Sequence, residues 1–293
     1  MMSTRRGPTM RAQWLGKQLR ELRELARMTL KDAADHLQRD MGTMSRMETG
    51  LAPARASDVL ALLDLYGVED QTLRKGLEQL SRDIKRKGWW DGYDADAMGR
   101  MIDHAWIESR AEEIRSYNVM TVPGLLQTRE YATNVIRSAD PDAPLETTEH
   151  WVDFRMSRQR ILTRAEPPRM AAILDEAVLR RIVGATDVMS AQLHKLAEIS
   201  THPAVAIQVL PFDAGAHPSI EGPFTIFNMP DPYPEVACVE TLGGAIYVET
   251  PKVEVFLKAY DCLREAALSL KESAAFISVM AKQIEKMSQR SSR

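Results

Sequence analysis

Two short amphipathic helices separated by only a few residues place the tightest constraint on the fold of this 293-residue chain. Thr29 and Asp32 are spaced as a capping-box-like start for the first helix. After a turn at Gln38, Asp40 is the expected N-cap of the second helix, and Gly50 is its expected C-terminal residue in the left-handed region. This spacing predicts a tightly joined helix pair that needs neighbouring helices to complete its core.

The second helix of the pair has two chemically different faces. Met44 and Met47 are expected to face inward, and the outward side carries small and hydroxylic residues around one arginine: Gly42, Thr43, Ser45, Arg46 and Thr49. Such a face suits the major groove of DNA, since a guanidinium can pair bidentately with guanine. The residues by themselves also fit a plain helical bundle whose arginines only keep it soluble.

The flanking sequence and the charge distribution extend this picture. Leu15, Leu19, Leu22 and Ala26 recur at helical spacing ahead of the pair, and Val59–Leu63 forms a further helix behind it. Residues 1–88 hold 17 basic and 12 acidic side chains, whereas the rest of the chain holds 21 and 29. A basic front on an acidic body suggests that a polyanion meets only the first part.

Three segments, Leu15–Arg23, Thr29–Ala34 and Met44–Gly50, together resemble the Cro/CI-type (XRE family) helix-turn-helix. The resemblance implies a homodimer that binds double-stranded operator DNA. It also implies roles for individual residues: base reading by Met41, Gly42, Thr43 and Arg46, phosphate contacts near Thr29, Leu30 and Ser45, and a structural ion pair between Arg23 and Glu48.

The chain departs from this family pattern at three places. Gln38 stands at the turn position that usually holds glycine, so a positive φ there would be mildly strained. Arg55 replaces the usual hydroxyl cap of the fourth helix, and Leu51–Ala54 lacks the basic residues common in that loop. Fewer phosphate contacts predict a shallower salt dependence, unless Arg5, Arg6 and Arg11 compensate.

Beyond Gly88 the pattern of apolar residues changes from a helical periodicity to one that predicts a mixture of helices and strands. Helices are expected at Ile102–Ser116, Thr147–Arg164, Ser190–Ser200, Lys252–Leu270 and Ser273–Lys286, and about five strands at Met170–Leu174, Val205–Leu210, Phe224–Met229, Val236–Leu242 and Ala245–Glu249. The predicted fold class is therefore α+β, with an all-α helix-turn-helix domain of about five helices joined by a helix to a larger mixed domain.

The expected domain boundaries follow from these changes. They are a flexible tail at 1–10, the DNA-binding domain at 11–69, a linker helix at 70–87, the α+β domain at 88–281 and a second flexible tail at 282–293. We expect the apolar edge of the linker helix to mediate self-association, the alternative being an intramolecular strut.

Several motifs of the second half, among them Val122–Thr128, Leu174–Arg181 and Gln208–Phe212, resemble an effector-like domain of unassigned function found in WhiJ-like bacterial regulators. The resemblance implies a transcriptional regulator that acts with a small acidic partner protein. Ile182 departs from it, because proline commonly follows the arginine pair. The residues singled out as a partner or ligand surface are Trp89, Trp90, Asp175, Glu176, His217 and Glu221.

Catalysis, metals and cofactors are not expected. Asp175 and Glu176 are adjacent, so their side chains diverge and cannot by themselves form an acid–base pair. The six histidines lack metal-ligand spacing, and Cys238 and Cys262 suit core positions better than a disulfide or zinc site. An aromatic set around Trp106 and Tyr117 is either core or the lining of a ligand cavity.

Three functions remain open at this point. The first is a dimeric regulator whose second domain takes input from a partner protein, and the second is a one-component regulator that senses a small molecule there. The third is an antitoxin-like protein-binding module without DNA. The sequence holds no apolar run of membrane-spanning length and no apolar segment behind its N-terminal arginines, so we expect a cytoplasmic, nucleoid-associated protein.

Overall fold

The structure, a computed structural model, describes residues 9–85, 99–231, 233–242 and 244–291. It divides into two compact units, one of residues up to 104 together with 231–233, and one of residues 105–230 with 234 onwards. Trp89 and Trp90 lie outside the described residues, as does most of the tail expected at 1–10. Thr9 and Met10 are described, and they already cap and begin the first helix.

The first unit is helical. Its elements are α1 (Met10–Leu25), α2 (Leu30–His36), α3 (Met41–Glu48), α4 (Ala56–Leu65) and α5 (Gln71–Lys85), and α6 (Gly99–Arg110) crosses the boundary between the units. The expected inward residues Leu15, Leu19, Met44 and Met47 are all buried in its core. The helix pair predicted from the capping residues therefore forms as expected.

The helix expected as a linker at 70–87 is instead an integral part of the helical unit. Leu77 and Leu80 are buried, and α5 packs against α1 and α4. Ser81 donates to the carbonyl of Ala54 at 2.8 Å. The amphipathic sequence of α5 therefore finds apolar partners within its own unit at Leu77 and Leu80, and the expected self-association through this edge stays a prediction.

The second unit is built on one six-stranded mixed sheet. Its strands are β1 (Glu113–Asn118), β2 (Arg169–Asp175), β3 (Val205–Leu210), β4 (Phe224–Asn228), β5 (Val236–Thr241) and β6 (Gly244–Glu249). The order is β3-β2-β1-β4-β5-β6, with β3, β2 and β1 parallel and the remaining pairs antiparallel. The helices are α7 (Arg129–Ala139), α8 (Leu145–Arg158), α9 (Glu176–Arg180), α10 (Thr186–Ile199), α11 (Glu254–Ala266) and α12 (Leu270–Ser291). The α+β prediction is confirmed.

Strand β1 is the main error in the predicted elements. The sequence predicts one helix over Ile102–Ser116, but α6 ends at Arg110 and β1 follows as a central strand between β2 and β4. The polar residues of β1 concealed the strand in the sequence. In the structure Glu113 and Arg115 neutralise each other's charge in an ion pair at 2.7 Å. The sheet therefore has six strands where about five were expected.

Three smaller expectations are also corrected. The long helix expected at Thr147–Arg164 ends at Arg158 and continues as a 3-10 turn. Helix α12 continues to Ser291, so the tail expected at 282–293 is largely helical, and Ile284 is buried along its apolar stripe. Cys238 is buried as expected, but Cys262 is exposed on α11. Among the described residues, no helix is both long and apolar enough to cross a membrane.

Candidate nucleic-acid interface

The turn between α2 and α3 sets the geometry of the helix pair. Gln38 has a φ of 53°, so the positive φ expected at this position is confirmed. The N–H of Gln38 donates to Asp35 at 3.0 Å, and that of Arg39 donates to Ala34 at 2.9 Å. These two bonds close the C-terminus of α2 and redirect the chain at once into α3.

Helix α3 presents one face to the core and the other to solvent. Its side chains at Met44, Met47 and Glu48 are buried, whereas Met41, Gly42, Ser45, Arg46 and Thr49 are exposed and Thr43 is half-buried. The residues that the resemblance assigned to base reading therefore lie along the outer, N-terminal part of one helix. Within the described residues 9–85 and 99–104 of this unit, no side chain covers that face.

A chain of hydrogen bonds holds Arg46 over the start of α3. Arg46 Nη2 donates to Thr43 Oγ1 at 2.8 Å, and the Thr43 hydroxyl donates to Asp40 Oδ2 at 2.6 Å. The other Asp40 oxygen accepts the backbone N–H of Thr43 at 2.8 Å, which caps the helix. The Thr43 hydrogen bonds lower the pKa of Asp40. Arg46 is thus oriented before any ligand arrives.

The residues assigned to phosphate contacts are differently placed. Ser45 is exposed on α3, and Leu30 begins α2 half-buried. The hydroxyl of Thr29 donates to Asp32 at 2.7 Å and accepts the Asp32 N–H at 3.1 Å. The hydroxyl and the backbone N–H of Thr29, both donating to the carboxylate, lower the pKa of Asp32. The hydroxyl of Thr29 is therefore already engaged in the capping box and fixes the start of α2.

The ion pair expected between Arg23 and Glu48 is present and buried. Arg23 Nε donates to Glu48 Oε1 at 2.7 Å, and Nη2 donates to Oε2 at 2.9 Å. The third nitrogen, Nη1, donates to the carbonyl of Met28 at 2.9 Å. One guanidinium thereby joins the end of α1, the link to α2 and the last turn of α3, and its bond to Glu48 raises the pKa of Arg23.

The predicted surface of the second unit comes together only in part. Asp175 caps α9 by accepting the Ala177 N–H at 2.8 Å, and its other oxygen lies 3.5 Å from the hydroxyl of Tyr117. That hydroxyl lies 3.1 Å from Nε2 of His217. Because Nδ1 of His217 accepts the Ser219 N–H, we assign the ring proton to Nε2.

Glu176 and Glu221, the remaining described members of that predicted surface, have different roles. Glu176 is buried, accepts the N–H of Phe212 at 2.9 Å and pairs with Arg180 at 2.5 Å. It links α9 to the 3-10 turn that follows β3, and it is not a surface residue. Glu221 is exposed and lies on a loop that borders a groove.

Comparison with protein families completes the description of both units. Residues 101–291 match the family described as "Domain of unknown function (DUF5753)", and this match spans more than half of the chain. The chain belongs to this family. Residues 14–77 match the family described as "Helix-turn-helix domain". No curated protein and no solved structure matches the chain. The helix-turn-helix domain indicates a DNA-binding regulator, whereas the DUF5753 match assigns no function to the second unit.

Two residues that matter for these sites were missed or undervalued from the sequence. A Cβ at Gly16 would lie 2.5 Å from the carbonyl oxygen of Glu48, so α1 and α3 touch backbone to backbone there. In the DUF5753 domain, Tyr117 joins Asp175 and His217 although the three are far apart in sequence. The position of Gly16 inside the apolar stripe of α1 is a signal that the sequence does contain. No local pattern points to the contacts of Tyr117.

Proposed function

We propose that the protein is a sequence-specific, Cro/CI-type transcriptional regulator that inserts α3 into the major groove of operator DNA. The observation that carries this proposal is the exposed, pre-oriented Arg46 on a helix whose opposite face is fixed in the core. In the helix-turn-helix mode of binding, the N-terminal residues of the second helix contact base edges, and Arg46 is held over that part of α3.

The outer face of α3 supports a specific division of work. Arg46 can donate two parallel hydrogen bonds to O6 and N7 of a guanine. Gly42 has no side chain and lets the backbone approach the bases closely, and the exposed Met41 suits apolar contact with a thymine methyl group. Ser45 and the start of α2 at Leu30 would then face phosphates, with Thr29 acting through the cap that it forms.

We further propose that two copies bind a two-fold operator, as the Cro/CI resemblance implies. Half-sites would then lie about 34 Å apart, one turn of the duplex. Footprinting a selected operator and measuring the molar mass of the complex by light scattering tests this. One protected half-site and a complex that contains a single chain would contradict it.

For the DUF5753 domain we propose regulation by binding, without catalysis, in the cytoplasm. Asp175 and Glu176 support this, since both carboxylates are used in holding local structure. The WhiJ-like resemblance favours a small acidic protein as the regulatory partner, and an antitoxin-like role remains a further candidate. A one-component regulator that senses a small molecule is favoured by a different observation, a groove of about 750 Å³ in this domain.

The experiment that tests the DNA proposal is a selection of duplexes from a random pool with the full chain, followed by titration of the selected site. Arg46→Ala should weaken binding by about 1–3 kcal/mol and relax one base preference. Arg82→Ala is the matched control, because Arg82 is an exposed arginine of α5 that pairs with Glu78. Unaltered affinity in a folded Arg46→Ala variant would contradict the assignment.

A further inference from the structure

A groove in the DUF5753 domain has the size of a small-molecule site. It encloses about 750 Å³ between β5, the start of α11 and the loop that leads into β4. Pockets that bind small organic molecules range over about 300–1,000 Å³ and are mostly apolar, with few polar groups. The groove meets both conditions, since Pro223, Phe224, Val239 and Phe256 form its walls.

The rim of the groove carries apolar side chains that solvent reaches freely. Leu242 has a relative exposure of 112% and Val255 of 69%, and both line the groove. Covering such groups with an apolar ligand contributes about 25 cal/mol of binding free energy for each Å² removed from water. The rim therefore favours a ligand with an apolar body.

The charged residues that line the groove have one sign. They are Glu221 and Glu240, and both are exposed. In the described part of the chain neither forms a salt bridge. Arg155 and Arg158 both interact electrostatically with Glu240, but neither forms an ion pair with it or lines the groove. The groove thus has acceptors for a positive group and lacks a lining cation for a negative one.

The loop that forms one wall is fixed from behind. Nε2 of His217 lies 3.1 Å from the hydroxyl of the buried Tyr117, and the rings meet edge to face. Ser219 then donates to the carbonyl of Gly222 at 2.6 Å. These contacts hold Pro218 and Glu221 in place, so this wall exists before a ligand binds.

We propose that this groove binds a small organic cation, an amine with an aliphatic or aromatic body. The body replaces water on Phe224, Val255 and Leu242, and the protonated nitrogen donates to a lining carboxylate, Glu221 or Glu240. The same charges disfavour an acidic protein in the groove, so a partner of that kind would need another surface. The inference concerns the DUF5753 domain alone and does not depend on DNA binding.

The test compares three probes of one shape on the full chain without DNA, by calorimetric titration. The probes are 4-phenylbutylamine, its neutral analogue 4-phenylbutanol and its anionic analogue 4-phenylbutyrate. The amine should bind saturably, with one site per chain and about threefold to tenfold more tightly than the alcohol, while the carboxylate binds most weakly. Equal affinities, or no saturable binding of the amine, would overturn the proposal.

Two variants check that binding occurs in this groove. Combining Glu221→Gln with Glu240→Gln should abolish the preference for the amine and leave the alcohol unchanged. Val255→Arg, at an exposed position, should fold normally and block the amine by adding a competing cation. An amine preference that survives both changes would place binding elsewhere and contradict the inference. Operator binding by the same preparations, measured separately, reports on the regulator proposal independently.

Discussion

At the scale of single residues, Gly16 sets how closely α1 approaches the recognition helix. A methyl group there would meet the carbonyl oxygens of Glu48 at 2.5 Å and Met47 at 2.6 Å, both of them backbone atoms. Gly16→Ala should therefore destabilise the fold by about 1–3 kcal/mol, although alanine is the better helix former. Urea unfolding measures this, with Gln13→Ala on the exposed side of α1 as the control. A stabilised Gly16→Ala variant would contradict the contact.

Tyr117 gives a prediction about pH. Burial, and secondarily the charge of Asp175, raise the pKa of Tyr117 above its ordinary value of about 10. The fold requires the neutral phenol, so its contribution to stability is complete below pH 10 and is lost as the pH rises through the folded-state value.

Tyr117→Phe should accordingly lose about 1 kcal/mol at neutral pH, from its hydrogen bonds to Asp175 and His217. Above pH 10 the free energy of unfolding of Tyr117→Phe should fall less steeply with pH than that of the wild type. The two slopes should differ by up to about 1.4 kcal/mol per pH unit. Urea titrations at several pH values from 7 to 11 check both effects. Parallel stability curves for the two proteins would contradict the role of the phenol.

The residues that sequence predicted well are those whose partners are close along the chain. Thr29 with Asp32, Asp40 with Thr43 and the positive φ of Gln38 are all set within four residues, and the structure has each of them. Tyr117, Asp175 and His217 meet only through the packing of the sheet. No pattern within one segment could have joined them.

At the scale of elements, the Arg23–Glu48 pair ties α1 to α3. The side chain of Arg23 is 11% exposed and that of Glu48 is 5% exposed, so removing either partner leaves the other as a buried, unpaired charge. Glu48→Ala should destabilise the fold by about 3–5 kcal/mol. Replacing both residues by methionine should be less harmful than the sum of the single losses.

The matched control for this pair is Arg82→Ala, which removes an exposed partner of Glu78 on α5 and should leave the unfolding midpoint unchanged. Folded fractions of the Glu48 variants should retain the base preference of the wild type, because the pair lies on the side of α3 away from DNA. Additive losses in the double variant would contradict the coupling.

Elements were predictable from the sequence where one face is apolar and the other polar. Helices α1 to α4 have two such faces, and strands β2 to β6 have short apolar or β-rich runs, and the sequence predicted all of them. Strand β1 lacks such a run, because most of its residues are polar, and Glu113 and Arg115 pair with each other in the structure. The packing partner of α5 could not be predicted for another reason, since amphipathicity indicates that a face is buried but not which partner buries it.

At the scale of the whole molecule, the chain combines a helix-turn-helix unit with a DUF5753 domain that has its own sheet, core and groove. The proposed division is that the first unit reads DNA and the second takes up a signal. The central claim is that Arg46 reads a guanine, since the regulator proposal depends on it.

The most direct measurement of that claim is a thermodynamic cycle between protein and DNA. The selected operator and a copy with 7-deazaguanine at the contacted guanine, which lacks the N7 acceptor, are titrated with wild type and with Arg46→Ala. The account predicts that the modified base weakens the wild type by about 1 kcal/mol or more and leaves Arg46→Ala unaffected. Equal weakening of both proteins would show that another group makes the contact, and would contradict the account.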